Sequence, residues 1–573
     1  MPGAGALTVE STPTEQLAGV DRVTSSAQRV DPWLVGILAL SALLDVWHLN
    51  WGLPNGNASW AADAIGPVTA LSVARHNFGS WNSGWFYFKY PPGWPLVMVA
   101  GFVPYLAYLY VTGAWRHPTA EYPYGFADPE RALFVLAMIG RGLSVAFSLG
   151  TVALAYAIGR RLFGRAAARW SAFWVATAYP IVYYAHTTNL ESGYVFWLVL
   201  ALYCAIVASA SAHRLPWLGL GAAGAMAMST KEQGFAFLLP LPFLAIAGRL
   251  RTSEARPFRW GMALLWMAVG GGATLLIADD VLFNPLGFAA RIAYLLGHPL
   301  TPIEARLAPV QFAFWKGAME SVYLGQLWDG LSSSLGLPLL VLAAVGAVGL
   351  RRRARAAMWL LVPIVALYYL SLRGLELITL RYALPIVVVA CVLAGAAAAD
   401  AGMWAPRAAG RWVVSAVLVG LAGLTLARAV ELDRLLVNDP RYAAEAWLAA
   451  HAPPGTKIEI YQKPAFLPRF RDGVTAAFVP LPERTRDGVA ARQPDVIITS
   501  SASHKSITHR WTADWRTTGT LLTPAPAAVD MLGALDKSEL PYQVAAVFRQ
   551  QPLTLRNRIT SVSPEITIYV RNQ

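Results

Sequence analysis

Charge is scarce in this sequence. Only 14% of its 573 residues are Asp, Glu, Lys or Arg, where a soluble domain carries roughly a quarter. Scarcity on that scale excludes a disordered chain, a fibrous protein and a purely soluble enzyme. Acidic groups are the scarcer kind, 33 against 46 Lys and Arg, for a formal net charge of +13. In a soluble protein that balance would suggest nucleic acid. Here the arginines punctuate apolar stretches, which is how membrane orientation is written, so a nucleic-acid partner is set aside. Cysteine is nearly absent: Cys204 and Cys391 both lie inside apolar runs, leaving no disulfide framework and no Cys-based metal site. There is no Walker loop, no dinucleotide-binding glycine motif in a βαβ context and no zinc signature. Fixed-period repeats and heptad runs are missing too.

What is present is apolar: 56% hydrophobic residues and 22 tryptophans, with a mean hydropathy of +0.44. Lipid solvates much of such a chain. Spans of about 20 apolar residues fall near 32–50, 131–158, 169–187, 193–211, 215–230, 234–248, 260–279, 332–350, 357–373, 382–399 and 412–430, eleven in all. A further stretch, 94–113, opens among Pro91, Pro92 and Pro95 and carries Gly101 and Pro104. If it lies along the membrane face, the basic connections around Arg160–Arg161–Arg165–Arg169, Arg214, Arg249–Arg259, Arg351–Arg355 and Arg407–Arg411 share one side with Arg22 and Arg29. If it crosses, the later clusters flip outward, against the positive-inside rule. An interfacial or re-entrant helix is therefore expected there.

The expected organisation is a disordered cytoplasmic tail over 1–30 with no cleaved signal, a polytopic α-helical membrane region over 31–430, and a small extracytoplasmic α/β domain over 431–573. Strand-like runs at 457–461, 495–499, 542–548 and 565–570 support the last. Three larger outer pieces result: 51–130, 280–331 and everything after 431. Chemistry is expected on that face.

Ionisable groups within or beside a bilayer are costly and ask for a reason. Asp63, in the first outer loop, combines fixed position with partial desolvation, as a general base requires; the competing explanation is a favourable acid in a helix's first turn. Asp45 is a rival, explained equally well as a buried helix-bonded carboxyl. Lys89, in Phe86-Tyr-Phe-Lys89-Tyr90-Pro91-Pro92, has the chemistry to hold a lipid phosphate, or is a snorkelling lysine beside an aromatic belt. Arg141 lies about ten residues into the second crossing, where an arginine usually faces a polar cavity or an anion. His186, Asn189 and Glu191, then Lys231, Glu232 and Gln233, then Asp279 and Asp280, then Arg373, Glu376, Arg381 and Tyr382 gather at the outer ends of later helices. Lys231–Glu232 and Arg373–Glu376 also read as mutually neutralising pairs. Adjacent residues on a helix point about 100° apart, so Asp279 and Asp280 do not make a divalent-ion site by themselves, and no metal is required.

The ordered set comprises the Asp63 loop, aromatic-Lys89-Tyr90-Pro91-Pro92, Gly140-Arg141-Gly, Gly159-Arg160-Arg161-Leu-Phe-Gly164, Tyr183-Tyr-Ala-His186-Thr-Thr-Asn-Leu-Glu191, Ser229-Thr-Lys231-Glu-Gln-Gly234 and Leu380-Arg381-Tyr382-Ala-Leu-Pro385. It resembles the GT-C glycosyltransferases of family 39 type, the group of protein O-mannosyltransferases and bacterial aminoarabinose transferases, over about residues 32–430. The resemblance implies a multi-helix membrane core of about eleven spans, interfacial helices in the first outer loop, and a polyprenyl-phosphate-sugar donor. It places Asp63 as the catalytic base. Lys89, Arg141, Lys231, Arg381 and Tyr382 fall at the donor phosphate, with Asp45, His186, Glu191 and Asp280 as further substrate-site candidates. Two departures mark a divergent branch: the family's Asp-Glu pair appears here as Asp63-Ala64, and Glu191 stands where members often have Asp. The implied activity is sugar transfer to an acceptor hydroxyl of unknown type (protein, lipid or glycan) at the outer face of a bacterial plasma membrane, with cations rather than a cofactor holding the phosphate. A lipid or polysaccharide transporter, or an inactive scaffold of the same fold, are the alternatives.

Overall fold

The computed structural model describes residues 31–572 apart from 80–81, 83, 85–89, 212, 253–258, 296–319, 350–354, 373–379, 402–407, 471–472, 475, 503, 512–521 and 557–558. Lys89, Arg373, Glu376 and the tail over 1–30 thus lie outside the described residues.

The chain is a multi-pass helical membrane protein with a small α/β domain at its C-terminal end. Helix α1 (Pro32–Val46) starts where Asp31 caps it, accepting from the Trp33 amide at 3.2 Å, with Pro32 presetting the first turn. The first loop then holds α2 (Pro67–Gly79) and α3 (Gly93–Val111). Helix α4 (Pro129–Phe163) is written for its direction. Asp128 caps it, Glu130 lies in its first turn, Arg160 and Arg161 in its last, and Gly164 ends it at φ +93°. After it come α5 (Arg165–Ala176), α6 (Tyr179–Ala185), α7 (Glu191–Ala210), α8 (Arg214–Thr230), α9 (Pro240–Thr252) and α10 (Trp260–Ala278). The remainder of the membrane region is α11 (Pro285–Leu295), α12 (Glu320–Leu335), α13 (Leu337–Gly349), α14 (Arg355–Leu372), α15 (Leu380–Asp400) and α16 (Ala408–Val437).

Each expected crossing falls on helix, though not always on one unbroken helix. Among the described residues seven helices are long and apolar enough to cross a membrane, or eight if the bent pair α12–α13 is one span. That pair turns through 103° at Gly336, whose φ of +76° a side chain would resist. The stretch expected over 169–187 is split into α5 and α6 at Thr177–Ala178, where Pro180 starts a new first turn. Helix α16 runs on past residue 430 to Val437. Close approach between α8 and α10 depends on small residues: a Cβ at Gly221 would collide with the Met267 carbonyl oxygen, and one at Gly270 with that of Leu218.

Helix α3 has the length and apolarity of a span and runs antiparallel along α4, with Trp94 against Phe147 and Gly101 against Ile139 and Leu143. At its start, Trp94 donates from Nε1 to the Thr188 carbonyl at 3.0 Å and Gly93 abuts Ser229. Its far end leads through the paired Trp115 and Phe126 into the first turn of α4. There Glu130 shares a cavity with Pro54, Glu445 and Arg469, at the end that carries the α/β domain. The opposite end of the bundle is marked by Asp31, which accepts from Arg165 Nε at 3.2 Å, Arg169 Nε at 3.0 Å and the Tyr156 hydroxyl at 2.8 Å.

The C-terminal domain opens with α17 (Pro440–His451). Its five-stranded sheet has the order β2-β1-β3-β7-β6, built from β1 (Ile458–Ile460), β2 (Ala476–Phe478), β3 (Val496–Ser500), β6 (Tyr542–Phe548) and β7 (Ile566–Arg571). A separate pair, β4 (His509–Trp511) and β5 (Leu522–Pro524), runs antiparallel. Strand β1 is parallel to β2 and β3, while β7 is antiparallel to β3 and β6. One face packs Ile458, Ile460, Val496, Ile498, Ile566 and Ile568 beneath Ala444 and Leu448 of α17. The other packs Ile497 and Tyr569 beneath Met531, Leu532 and Leu535 of α18 (Pro526–Asp536). Strand β3 is therefore apolar on both faces and buried throughout.

Candidate functional site

The first loop leaves α1 and is clamped at once between bundle and α/β domain. Trp51 donates from Nε1 to Asp439 at 3.1 Å, the Gly52 amide donates to the Tyr442 hydroxyl at 3.2 Å, and Arg469 Nη1 donates to the Leu53 carbonyl at 2.8 Å. Trp60, fully buried, has the Arg441 guanidinium 4.3 Å from its ring centre and that of Arg469 at 5.1 Å. Cations over indole faces are attractive when desolvated. Three residues later comes Asp63, in a turn and four positions before Pro67, so the first-turn explanation for it does not hold. Its backbone is in the left-handed region, φ +61°. The turn is pinned from α7's approach: Asn189 Nδ2 donates to the Ala62 carbonyl at 3.0 Å and Thr188 Oγ1 to the Ile65 carbonyl at 2.8 Å.

Arg381, at the start of α15, donates from Nη1 to Asp63 Oδ2 at 2.9 Å. The Arg381 guanidinium lies 5.2 Å from the ring of Tyr382, and the Lys231 ammonium lies 4.2 Å from that ring. Lys231 is itself buried in an ion pair with Glu191 at 3.2 Å, with the Tyr194 ring 5.5 Å away. It does not neutralise Glu232, which pairs instead with Arg291 of α11. The break between α8 and α9 at Lys231 thus feeds two different ion pairs.

Two members of this group escaped sequence reasoning. Tyr90 is buried beside Arg381, Glu191, Tyr382 and Asp63; burial raises its phenol pKa, the Arg381 charge opposing. Arg291 donates from Nη1 to the Tyr90 carbonyl at 3.0 Å, tying the second outer loop to the first. Its signal was the one used for Arg141, a lone arginine in an apolar stretch, Phe288-Ala-Ala-Arg291-Ile-Ala.

The structure therefore brings Asp63, Glu191, Lys231, Arg381 and Tyr382 together. Other candidates lie elsewhere. Arg141 donates to the Leu49 carbonyl, and the ring nitrogens of His186 lie 2.8 Å from the carbonyl oxygens of Val182 and Trp47. Both side chains thus engage the backbone that leaves α1, where carbonyls lack helical partners. Asp45 is buried, accepts from Ser41 Oγ at 3.3 Å and lies near Asp433. His48, beyond α1, is held below its usual pKa by burial and by the Arg141 charge. Asp280 belongs to the turn after α10, where its carbonyl accepts from the amides of Phe283 and Asn284 at 3.1 and 2.7 Å. Burial pushes its carboxyl up to about 7, the neighbouring Asp279 adding to the shift, and Asp279 itself is pushed to about 6 by burial. Among the described residues no group of three or more His, Cys, Asp and Glu is placed to hold a metal ion.

Residues 137–270 match the family described as dolichyl-phosphate-mannose-protein mannosyltransferase. The match runs from α4 to α10 and contains Arg141, His186, Glu191 and Lys231. No curated protein matches the chain. Among solved structures, the Archaeoglobus fulgidus oligosaccharyltransferase in complex with Zn and sulfate is similar at a TM-score of 0.45 and 12% identity, covering 94% of this chain and 88% of that one. ArnT from Cupriavidus metallidurans bound to undecaprenyl phosphate is similar at a TM-score of 0.44 and 13% identity, covering 94% and 98%. AglB from Archaeoglobus fulgidus, in complex with an inhibitory peptide and a dolichol-phosphate, gives a TM-score of 0.43 and 13% identity over 94% and 88%.

Proposed function

From the match of residues 137–270 to that mannosyltransferase family, we propose that the chain transfers a sugar from a polyprenyl-phosphate donor to an acceptor hydroxyl at the extracytoplasmic face of a bacterial plasma membrane. The observation that carries the proposal is the Asp63 carboxylate. Its backbone is pinned and its side chain sits 2.9 Å from Arg381, at the end of the bundle that carries the α/β domain. The arginines at the opposite end, Arg160, Arg161, Arg165 and Arg169, support a cytoplasmic side there.

In the proposed reaction Asp63 takes the proton of the acceptor hydroxyl as that oxygen bonds to the anomeric carbon. The bond from that carbon to the phosphate oxygen breaks, and the lipid phosphate leaves with the electron pair. Arg381 stabilises the departing charge by charge-assisted hydrogen bonds. Lys231, neutralised by Glu191, holds the Tyr382 ring beside which Arg381 lies. With these cations present the reaction is proposed to need no divalent metal.

The test is transfer from radiolabelled polyprenyl-phosphate sugars by membranes carrying the intact chain or Asp63→Asn. Loss of a general base lowers the rate by about 100- to 10,000-fold, and the variant is expected in that range. Full-rate transfer by Asp63→Asn would overturn the base assignment. Substrate crossing the membrane without any new glycosidic bond would make the protein a transporter.

A further inference from the structure

The turn between α6 and α7 holds a histidine whose two ring nitrogens meet the same kind of neighbour. His186 is fully buried; its Nδ1 lies 2.8 Å from the Val182 carbonyl oxygen and its Nε2 2.8 Å from that of Trp47. A carbonyl oxygen only accepts, whereas a neutral imidazole has one N–H and one bare nitrogen. A neutral ring would therefore set two lone pairs against each other at hydrogen-bonding distance. The imidazolium, a donor at both nitrogens, satisfies both carbonyls. Burial opposes a charge there, as do Arg141 of α4 and His48 beyond α1. The counter-charge comes from α16. Asp433 places Oδ1 3.9 Å from Nε2, and that buried oxygen accepts no hydrogen bond among the described residues. Asp45 of α1 is the further acid near Asp433.

We infer that His186 is a positioning residue held as an imidazolium: its two N–H groups tie α6 to the backbone leaving α1, Asp433 balances its charge, and the segment it anchors fixes the turn that carries Asp63. The inference rests on the proposed role of Asp63 as base. The chain of contacts is short. Val182 belongs to α6 and Trp47 caps the end of α1, so the ring bridges two helices. Two and three residues on, Thr188 Oγ1 donates to the Ile65 carbonyl at 2.8 Å and Asn189 Nδ2 to the Ala62 carbonyl at 3.0 Å. Those bonds grip the backbone on both sides of Asp63. A ring that loses its proton keeps one carbonyl and repels the other, which slackens the bridge at one end. Misplacing a reacting group by about 1 Å costs about 100-fold in rate, so the loss is felt at the base.

The test uses the full chain in nanodiscs with isotope-labelled nitrogen in its nine histidines, observed by NMR at pH 8. An ordinary histidine, with a pKa of about 6.5, is neutral there. The His186 signals, identified as those lost in His186→Gln, are expected at the shifts of two protonated nitrogens. Asp433→Asn should convert them to one protonated and one bare nitrogen, and makes the identification itself should His186→Gln not fold. A bare nitrogen in the parent, or a ring unmoved by Asp433→Asn, would overturn the inference. The second readout is transfer from radiolabelled polyprenyl-phosphate sugar at pH 6 and pH 8. Relative to the parent, Asp433→Asn should lose about tenfold in kcat as pH rises, with donor KM little changed, because its ring now sheds the proton and the base is displaced. The same ratio at both pH values would overturn the positioning role. The two readings fail separately: full-rate transfer by Asp63→Asn overturns the base assignment, whereas a neutral His186 overturns the imidazolium and leaves that assignment standing.

Discussion

Replacing Arg441 by Met is expected to loosen the seam between the membrane bundle and the α/β domain. Arg441 is completely buried and donates to Asp439 from Nε at 2.9 Å and Nη2 at 2.7 Å, to the Ser561 carbonyl at 2.6 Å and to the Ala465 carbonyl at 2.8 Å. Removing one partner of a buried pair leaves the other charge uncompensated, a loss of about 3–5 kcal/mol. At about 2–4 °C per kcal/mol that lowers Tm by on the order of 10 °C. Asp439→Asn added to Arg441→Met should win back part of the loss. The amide oxygen at the Oδ1 position still caps α17, the Trp51 Nε1 bond to Oδ2 is given up, and the stranded charge is gone. Thermal denaturation of the purified protein in detergent, read with hydrogen exchange over residues 47–60 and 439–445, gives both quantities. A single variant within about 2 °C of the parent, or a double variant less stable than the single, would refute the reasoning, because either result means that no buried charge was left unpaired.

Gly221→Leu should separate α8 from α10 and lower stability by about 1–3 kcal/mol; Gly261→Leu, with no atom within 4 Å of its added Cβ, is the matched control. Asp280→Asn should raise Tm more at pH 8–9 than at pH 5. The folded carboxyl titrates near 7 against 3.8 for the free group, so the native state holds the extra proton between those values, and stability falls as pH rises through that window. An Asn variant whose advantage is the same at both pH values would contradict the assignment. Chelation with EDTA is expected to leave sugar transfer unchanged, which a direct transfer assay decides.

Helices and strands were legible wherever the signal is local. The strand expected over 542–548 coincides with β6. Breaks were harder: from Leu335 the pattern is apolar, and Gly336 turns the chain without interrupting it. The candidate site shows the same division. Asp63 and Arg381 stood out as rare charges, but their pairing spans 318 positions, and no local periodicity encodes it. Glu191 is likewise the partner of Lys231 across 40 positions, where the adjacent Glu232 was the obvious choice by sequence. Arg441 and Arg469 carried no signal at all, since in a polar domain an arginine is unremarked until an indole is found beneath it.

The unequal sealing of Asp439–Arg441, Glu191–Lys231 and Asp63–Arg381 makes ionic strength a selective instrument. Mobile ions screen charges they can surround, over a Debye length of about 8 Å at physiological salt and about 3 Å at 1 M. They have no access to Asp439–Arg441 or Glu191–Lys231, whose side chains are at most 1% exposed. They do reach Asp63, at 43%. Added salt therefore acts on Asp63–Arg381, with these two buried pairs as built-in spectators. A titration with sodium chloride would weaken the Asp63–Arg381 contact without a mutation.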